Sequence, residues 1–181
     1  QARVAEARQL LKQSGMADDP PRIRLLYNEN DLVRSVSLAL AATWKETLGI
    51  ETELLQEEYR VFLASRSDRS RWDVIRIGWA ADYNDAASFL EPFRSDSPQN
   101  HGAWKSASFD ALIDQAAHEF DVVKRRALLE RAERLLLDDY AVLPLYFLVS
   151  KRAVQPWVKA PPLDPMGRNH SRYFSFVPAT R

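Results

Sequence analysis

Cysteine is absent from this 181-residue sequence, which excludes disulfides, thiolate metal sites and cysteine nucleophiles but leaves the compartment open. Glycine is scarce, with only five residues, and no glycine-rich phosphate loop is present. No apolar run approaches the roughly 20 residues that a membrane-spanning helix needs. Net charge is also lacking, because 25 basic residues balance 25 acidic ones. Since phosphate binding needs a basic excess or stripe, we expect no nucleic-acid partner.

The first residues show neither an initiator methionine nor a signal peptide. Residues 1–11 are polar with a helical pattern, and they contain no apolar h-region. We therefore expect a mature chain, a trimmed chain or a fragment. The composition is that of a globular protein, with 46% hydrophobic residues, and one domain is favoured over two.

Hydrophobic periodicity predicts strands that alternate with helices, the pattern of an α/β protein with a mixed sheet flanked by helices. Asp31 is expected to cap a long helix that ends at Gly49. The other predicted helices cover residues 2–14, 59–65, 86–93, 109–118 and 122–138. The predicted strands cover residues 23–27, 50–55 and 142–149, with another beginning at Trp72 and an extended piece over residues 151–159.

The most informative segment is an apolar strand that runs directly into an acidic, aromatic turn, over residues 72–85. Gly78 lets another backbone approach closely, because it has no side chain. The residues at 76, 78, 80 and 82 share one parity, so in a strand they would face the same side. Such a strand end is suited to hold an extended peptide, with Asp82 placed to meet a positive group.

Short motifs along nearly the whole chain carry a family resemblance. They lie at residues 25–28, 31–32, 58–63, 73–79, 81–84, 109–110, 132–133, 142–146, 156–158 and 164–165. With them the chain resembles the C-terminal lobe of the periplasmic oligopeptide-binding proteins, which are family 5 extracellular solute-binding proteins. The resemblance implies a type II-like fold of two α/β lobes that close over a peptide. It also implies that residues 1–181 are part of one lobe, with the other lobe and the hinge absent from this chain.

The resemblance implies that Asp82 is the carboxylate that meets the free α-amino group of a bound peptide. A buried ammonium needs a paired counter-charge, since an unpaired one is costly. The alternative is a turn aspartate that accepts hydrogen bonds from nearby backbone amides. Arg76 is implied to reach the carboxylate of a short peptide, and an internal salt bridge with Asp73 or Asp85 is an equal alternative.

Gly78 and Ala80 are implied to offer backbone N–H and C=O groups to the ligand. Such strand addition gives affinity that does not depend on the ligand sequence. Trp79 and Tyr83 are implied to wall the cleft as rigid aromatic surfaces, with core packing as the alternative. Four further residues match positions that line side-chain pockets, although Leu63 is equally suited to the core: Asn28, Tyr59, Leu63 and Arg66.

Two positions depart from the family pattern and make the implied site more apolar. Val33 stands where some members carry a histidine that reaches the ligand carboxylate, and Leu148 stands where a pocket tyrosine can occur. The preferred length and side chains of the peptide are therefore left open.

The function implied is that of the substrate-binding component of a bacterial ABC peptide importer. This protein would be periplasmic, monomeric and non-enzymatic, would bind short peptides without a cofactor or metal, and would dock on membrane permease subunits. The three histidines do not cluster with carboxylates at metal-ligand spacing. Three alternatives stay open: a receptor for a nickel complex, haem or sugar, a carboxylate-dependent hydrolase, and a protein-interaction domain that uses a helical face.

Overall fold

The computed structural model of this chain describes residues 2–149, 151–164 and 166–177. Pro165, which belongs to the last sequence motif, therefore lies outside the described residues. The chain divides into two compact units, of which the first ends at Gly78 and the second begins at Trp79.

The first unit is built on a three-stranded parallel sheet with the strand order β2-β1-β3. The central strand β1 carries the buried residues Leu25, Leu26 and Tyr27, as expected for a strand that is covered on both faces. Strands and helices alternate in the order α1 (Ala2–Gln13), β1 (Ile23–Asn28), α2 (Asp31–Leu48), β2 (Thr52–Glu57), α3 (Tyr59–Ser65) and β3 (Val74–Ile75).

Helix α2 begins one residue earlier than the sequence predicts. Asn30 is the cap, and its side chain accepts a hydrogen bond of 3.2 Å from the Val33 N–H. The prediction that Asp31 caps the helix is therefore wrong; Asp31 is instead the first helical residue, where a carboxylate interacts favourably with the helix dipole. The predicted end at Gly49 is confirmed, because this residue adopts a left-handed φ of 74°.

Helix α3 packs against the sheet through a small apolar cluster. Leu26 of β1, Phe62 of α3 and Trp72 are buried together, with Leu55, Leu63 and Ile75 packed around them. Glu58 caps α3, because its side-chain carboxylate accepts hydrogen bonds from the backbone N–H groups of Arg60 and Val61. The short helix predicted over residues 59–65 is confirmed.

Strand β3 is much shorter than expected. Only Val74 and Ile75 pair with β1, and the last ladder bond runs from the Arg76 N–H to the Leu26 carbonyl over 2.9 Å. The register would place Ile77 opposite Asn28, where β1 ends. Beyond that point, no strand among the described residues continues beside the chain. The strand predicted to begin at Trp72 is therefore confirmed only at Val74 and Ile75, and the prediction that residues 76, 78, 80 and 82 face one side of a strand is wrong.

The regular secondary structure of the second unit is mainly helical. It contains α4 (Ala87–Leu90), a 3₁₀ turn (Glu91–Phe93), α5 (Ala107–His118), α6 (Val122–Asp138) and the antiparallel pair β4 (Val158–Lys159) and β5 (Ser175–Phe176). The helix predicted over residues 122–138 is confirmed, with Asp121 as its cap. The core of this unit lies between α4, α5 and α6 and comprises Ala87, Leu90, Phe109, Leu112, Ile113, Ala116, Leu129, Ala132 and Leu136.

The prediction of a buried strand over residues 142–149 is wrong. The structure assigns no strand there, and Phe147 and Leu148 expose 96% and 78% of their surfaces. An apolar segment becomes a buried strand only when neighbouring strands and covering helices are available. The described part of the chain supplies none at this place. Of the extended piece predicted over residues 151–159, only Val158 and Lys159 form a strand.

The α/β class is confirmed. Parallel pairing occurs in the first unit and antiparallel pairing in the second, in two separate sheets. Among the described helices, none combines the length and the apolar character required for crossing a membrane.

Candidate functional site

In the first unit, three predicted ligand residues lie at the carboxyl edge of the sheet. Asn28 is the last residue of β1, Tyr59 begins the helix that follows β2, and Arg76 directly follows β3. Because the strands are parallel, these three ends meet at the same edge. Open α/β sheets bind ligands at this edge, where the strands end. The fold therefore brings together Asn28, Tyr59 and Arg76 from three separate parts of the sequence.

The two predicted pocket residues on α3 differ in their surroundings. Leu63 is half-buried and packs against the cluster of Leu26, Phe62 and Trp72, which favours the core interpretation. Arg66 follows the last residue of α3, and its Nε atom is buried without an acceptor among the described residues. A buried guanidinium N–H without an acceptor is energetically costly, and a ligand oxygen could accept this hydrogen bond. Arg66 is therefore a better candidate for ligand contact than Leu63.

Arg76 lies beside Gly78. A Cβ atom built on Gly78 would lie 3.5 Å from a terminal nitrogen of the Arg76 guanidinium, an ordinary van der Waals contact, so the guanidinium lies close to the Gly78 backbone. The two carboxylates considered as its internal partners are each engaged by another arginine. Asp73 binds Arg24 at 3.0 Å, and Asp85 binds Arg125 at 2.6 Å.

The second unit begins with the other four predicted residues, at positions 79, 80, 82 and 83, and none of them lies in a strand. Their segment is fastened to α4. The Trp79 indole Nε1 donates to the Ser88 carbonyl over 2.7 Å, and the Asp82 N–H donates to the Ser88 hydroxyl over 2.8 Å. Ala80 lies between these two attachment points and is exposed.

The Asp82 carboxylate is exposed, and no described residue donates a hydrogen bond to it. Both of its recorded bonds involve the backbone: its N–H donates to Ser88, and its carbonyl accepts from Arg168 at 3.3 Å. A turn aspartate of the usual kind accepts bonds from nearby amides through its side chain. The neighbouring Asp85 does this, because its Oδ1 accepts from the Ala87 N–H. The arrangement at Asp82 disfavours the turn alternative.

Asp85 anchors the loop to α6. Its carboxylate accepts two bonds from the Arg125 guanidinium, of 2.6 and 3.0 Å, while the Arg125 Nε donates to the Ala116 carbonyl at the end of α5. This hydrogen-bonded pairing with Arg125 lowers the pKa of Asp85. Next to it, partial burial and the nearby Glu91 carboxylate raise the pKa of the Tyr83 phenol to about 12.

Sequence reasoning missed Ser88 and Arg125 as residues that hold the candidate loop. Arg125 lies 40 positions from Asp85, and nothing in a helical charge pattern identifies so distant a partner. A weak signal in the sequence could have identified Ser88 as a residue with a buried hydrogen bond, since it is the polar residue inside the otherwise apolar run of residues 86–90.

Two surface depressions on the second unit contain no predicted ligand residue. One, of about 550 Å³, lies along α5 and α6 around His118 and Arg131, and the other, of about 450 Å³, surrounds Arg94. The candidate residues instead lie at the open edge of the first unit and on the loop of the second. Within the part of the chain that is described, no three histidine or acidic side chains are grouped as metal ligands would be.

A sequence model described as "Bacterial extracellular solute-binding proteins, family 5 Middle" matches residues 1–101, which include the sheet edge and the loop with Asp82. The chain belongs to this family. The resemblance stated from the sequence motifs is thereby confirmed, together with the two-lobed class of fold to which this chain contributes a part.

Individual family members match almost the whole chain. The periplasmic oligopeptide-binding protein OppA of Escherichia coli is 37% identical over 97% of this chain and 32% of its own length. The probable deoxycholate-binding periplasmic protein YgiS of the same organism is 39% identical over 89% of this chain and 30% of its own length. The structure of Haemophilus influenzae OppA in complex with RPPGFSPFR superposes with a TM-score of 0.86 at 30% identity, covering 98% of this chain and 35% of that one. The chain thus spans about a third of the length of these relatives.

Proposed function

We propose that this chain is a peptide-binding part of the substrate-binding component of a bacterial ABC peptide importer. Its main support is the exposed Asp82 carboxylate, which no described side chain or amide engages and which the backbone holds in place. A peptide ammonium enclosed beside this carboxylate would gain a charged hydrogen bond. Recognition of the free N-terminus in this way makes no demand on the peptide side chains.

Main-chain recognition accompanies this charge pairing. Strand β3 stops at Ile75, and residues 77–81 have no strand partner in the described structure. Their backbone N–H and C=O groups are therefore suited to pair with an extended ligand, as in β-strand addition. Gly78 and Ala80 add little side-chain bulk along this segment, while Trp79 and Tyr83 supply aromatic surface. Arg76 would meet the carboxylate of a short peptide.

We further propose that residues 1–181 form part of one lobe of a longer receptor, with the hinge and the other lobe in sequence not present in this chain. The share of each relative that is covered, about a third, supports this. The segment over residues 142–149 supports it independently, since its apolar side chains are exposed where a folded protein would cover them. In the complete receptor, closure of the second lobe would enclose the peptide.

The names of the relatives favour a periplasmic binding protein without catalysis. We propose the periplasm as the place of action and membrane permease subunits as the docking partner of the closed receptor. No cofactor or metal is needed for binding of this kind.

A non-peptide ligand is the second candidate, because the relative YgiS is named as a probable deoxycholate-binding protein. Deoxycholate has a carboxylate and no amine, so it would leave Asp82 without a cation to bind. Melting shifts of the complete receptor with peptides, bile acids, sugars and nickel complexes separate the two candidates.

The decisive experiment is calorimetry on the complete receptor and its Asp82→Asn variant. Losing one partner of an enclosed ion pair costs about 3 kcal/mol, so a peptide with a free N-terminus should bind roughly 100-fold more weakly to the variant. The N-acetylated form of the same peptide should bind weakly to both proteins. Asp138→Asn, at the exposed end of α6, is the matched control and should leave the affinity unchanged.

Equal affinity of the parent and Asp82→Asn receptors for the free peptide would remove Asp82 from the site. Tight binding of a bile acid together with no binding of peptides would favour the second candidate instead.

A further inference from the structure

Ser88 is a buried residue that binds two candidate ligand residues at once. The residue is 2% exposed; its hydroxyl accepts a hydrogen bond from the Asp82 N–H at 2.8 Å, and its carbonyl accepts one from the Trp79 indole at 2.7 Å. The buried Ser37 differs, because its hydroxyl donates to the Val33 carbonyl of its own helix. Ser88 is thus oriented toward the loop rather than toward its own helix.

The hydroxyl of Ser88 fixes the backbone at Asp82, from which the carboxylate projects. Because no described residue bonds that carboxylate, its position depends on the backbone that carries it. Removing the hydroxyl would leave the Asp82 N–H without its acceptor, and the loop would gain freedom. A ligand would then have to order the loop on binding, and this lowers affinity.

The contacts at the far end of the loop do not replace this bond. The Asp85–Arg125 pair fixes the chain three residues later, and Arg168 reaches only the Asp82 carbonyl, over 3.3 Å. Ser88 therefore makes the one recorded bond that holds the Asp82 N–H in the described structure, and the same residue sets the position of Trp79 through its carbonyl.

We propose that Ser88 is a positioning residue for ligand recognition by Asp82. This inference rests on the proposed function, because it assigns Ser88 a role only if Asp82 meets the cationic end of the ligand. Ser88 itself touches no ligand. It holds the Asp82 carboxylate and the Trp79 ring in the arrangement that a bound peptide requires, so that neither has to be ordered when the peptide arrives.

A double-mutant cycle on the complete receptor tests the proposal, with calorimetry of a free and an N-acetylated peptide. Ser88→Ala should weaken binding of the free peptide about five-fold, the size of effect expected for one neutral hydrogen bond. In an Asp82→Asn background, Ser88→Ala should weaken it no further. Ser88→Thr keeps the hydroxyl and should restore the affinity to within about two-fold of the parent.

Two controls separate positioning from packing. Ser37→Ala removes an equally buried hydroxyl that bonds only its own helix, and it should leave peptide affinity unchanged. Melting curves show whether each variant is folded. If Ser88→Ala does not fold, Ser88→Cys tests the same bond, because a thiol fills similar space and is a weak acceptor.

The outcomes distinguish the two proposals. If Asp82→Asn binds the free peptide as tightly as the parent does, the proposed function fails and the role of Ser88 fails with it. If Asp82→Asn weakens binding but Ser88→Ala has its full effect in both backgrounds, or no effect in either, only the inference about Ser88 is overturned.

Discussion

The ion pair between Asp85 and Arg125 gives the sharpest prediction about stability. Arg125→Gln removes the charge and the two bonds to Asp85, of 2.6 and 3.0 Å, as well as the bond of 3.1 Å to Ala116. The Asp85 and Arg125 side chains are 27% and 30% exposed, so the burial of this ion pair is intermediate between that of a surface pair and that of a buried pair. Exposed pairs contribute up to about 1 kcal/mol, and breaking a buried pair costs roughly 3–5 kcal/mol. We expect a loss of about 2 kcal/mol in the local stability of the loop.

Hydrogen exchange measured by mass spectrometry reports this local opening directly. A loss of about 2 kcal/mol corresponds to roughly 30-fold faster exchange of the protected amides in residues 85–90. The matched control is Arg126→Gln, the next residue on α6. Arg126 pairs with Glu130 at the surface, where the two side chains are 79% and 53% exposed. The exchange rate should therefore change less than about two-fold. Equal exchange in the Arg125→Gln and Arg126→Gln variants would refute the reasoning.

The same pair predicts the direction of a pH effect. The hydrogen-bonded Arg125 guanidinium lowers the pKa of Asp85 in the folded chain below its unfolded value of about 3.9. Stabilisation by this group is therefore present above the unfolded pKa and is lost as the pH falls through the lower, folded pKa. Loop protection, corrected for intrinsic exchange, should fall below about pH 4 in the parent chain and depend less on pH in Asp85→Asn.

Two further predictions concern α2 and are tested by urea unfolding of the chain. Asn30→Ala removes the cap that accepts from the Val33 N–H and should cost about 1 kcal/mol, whereas Glu29→Ala, one residue earlier and exposed, should cost much less. Gly49→Ala should also cost about 1 kcal/mol, because φ is 74° there and the new Cβ would meet only Pro20 at 3.7 Å, so the cost lies in the backbone. Gly102→Ala, in open space, should be nearly neutral; equal losses at the two glycines would contradict the argument.

The sequence predicts correctly those helices and strands whose bounds are set by neighbouring residues along the chain. Helices α3 and α6 have the predicted bounds, because caps and an apolar period of 3.6 residues define them. The strand predicted over residues 23–27 is confirmed as β1, and β2 begins two residues later than predicted. The errors at residues 72–83 and 142–149 have one cause. A segment forms a strand only beside a neighbouring strand, and the sequence of the segment itself does not show whether such a neighbour is present.

The candidate site shows the same division between local and distant information. The acidic, aromatic sequence after Gly78 predicts where a ligand would bind, although that role remains a prediction. The sequence does not reveal that Arg125 anchors the loop, nor that the ends of three strands bring Asn28, Tyr59 and Arg76 to one edge. These relations arise from packing between distant segments, and only the folded chain displays them.

The exposed apolar segment over residues 142–149 has a practical consequence when these 181 residues are prepared alone. Apolar side chains in contact with water, on a backbone whose N–H and C=O groups pair with no strand among the described residues, favour association with a second copy of the chain. The monomeric fraction of the isolated chain should therefore fall as its concentration rises. Charged replacements at Phe147 and Leu148 should keep the isolated chain in solution, and we expect the same replacements to destabilise the longer receptor that we propose, in which this stretch would be covered.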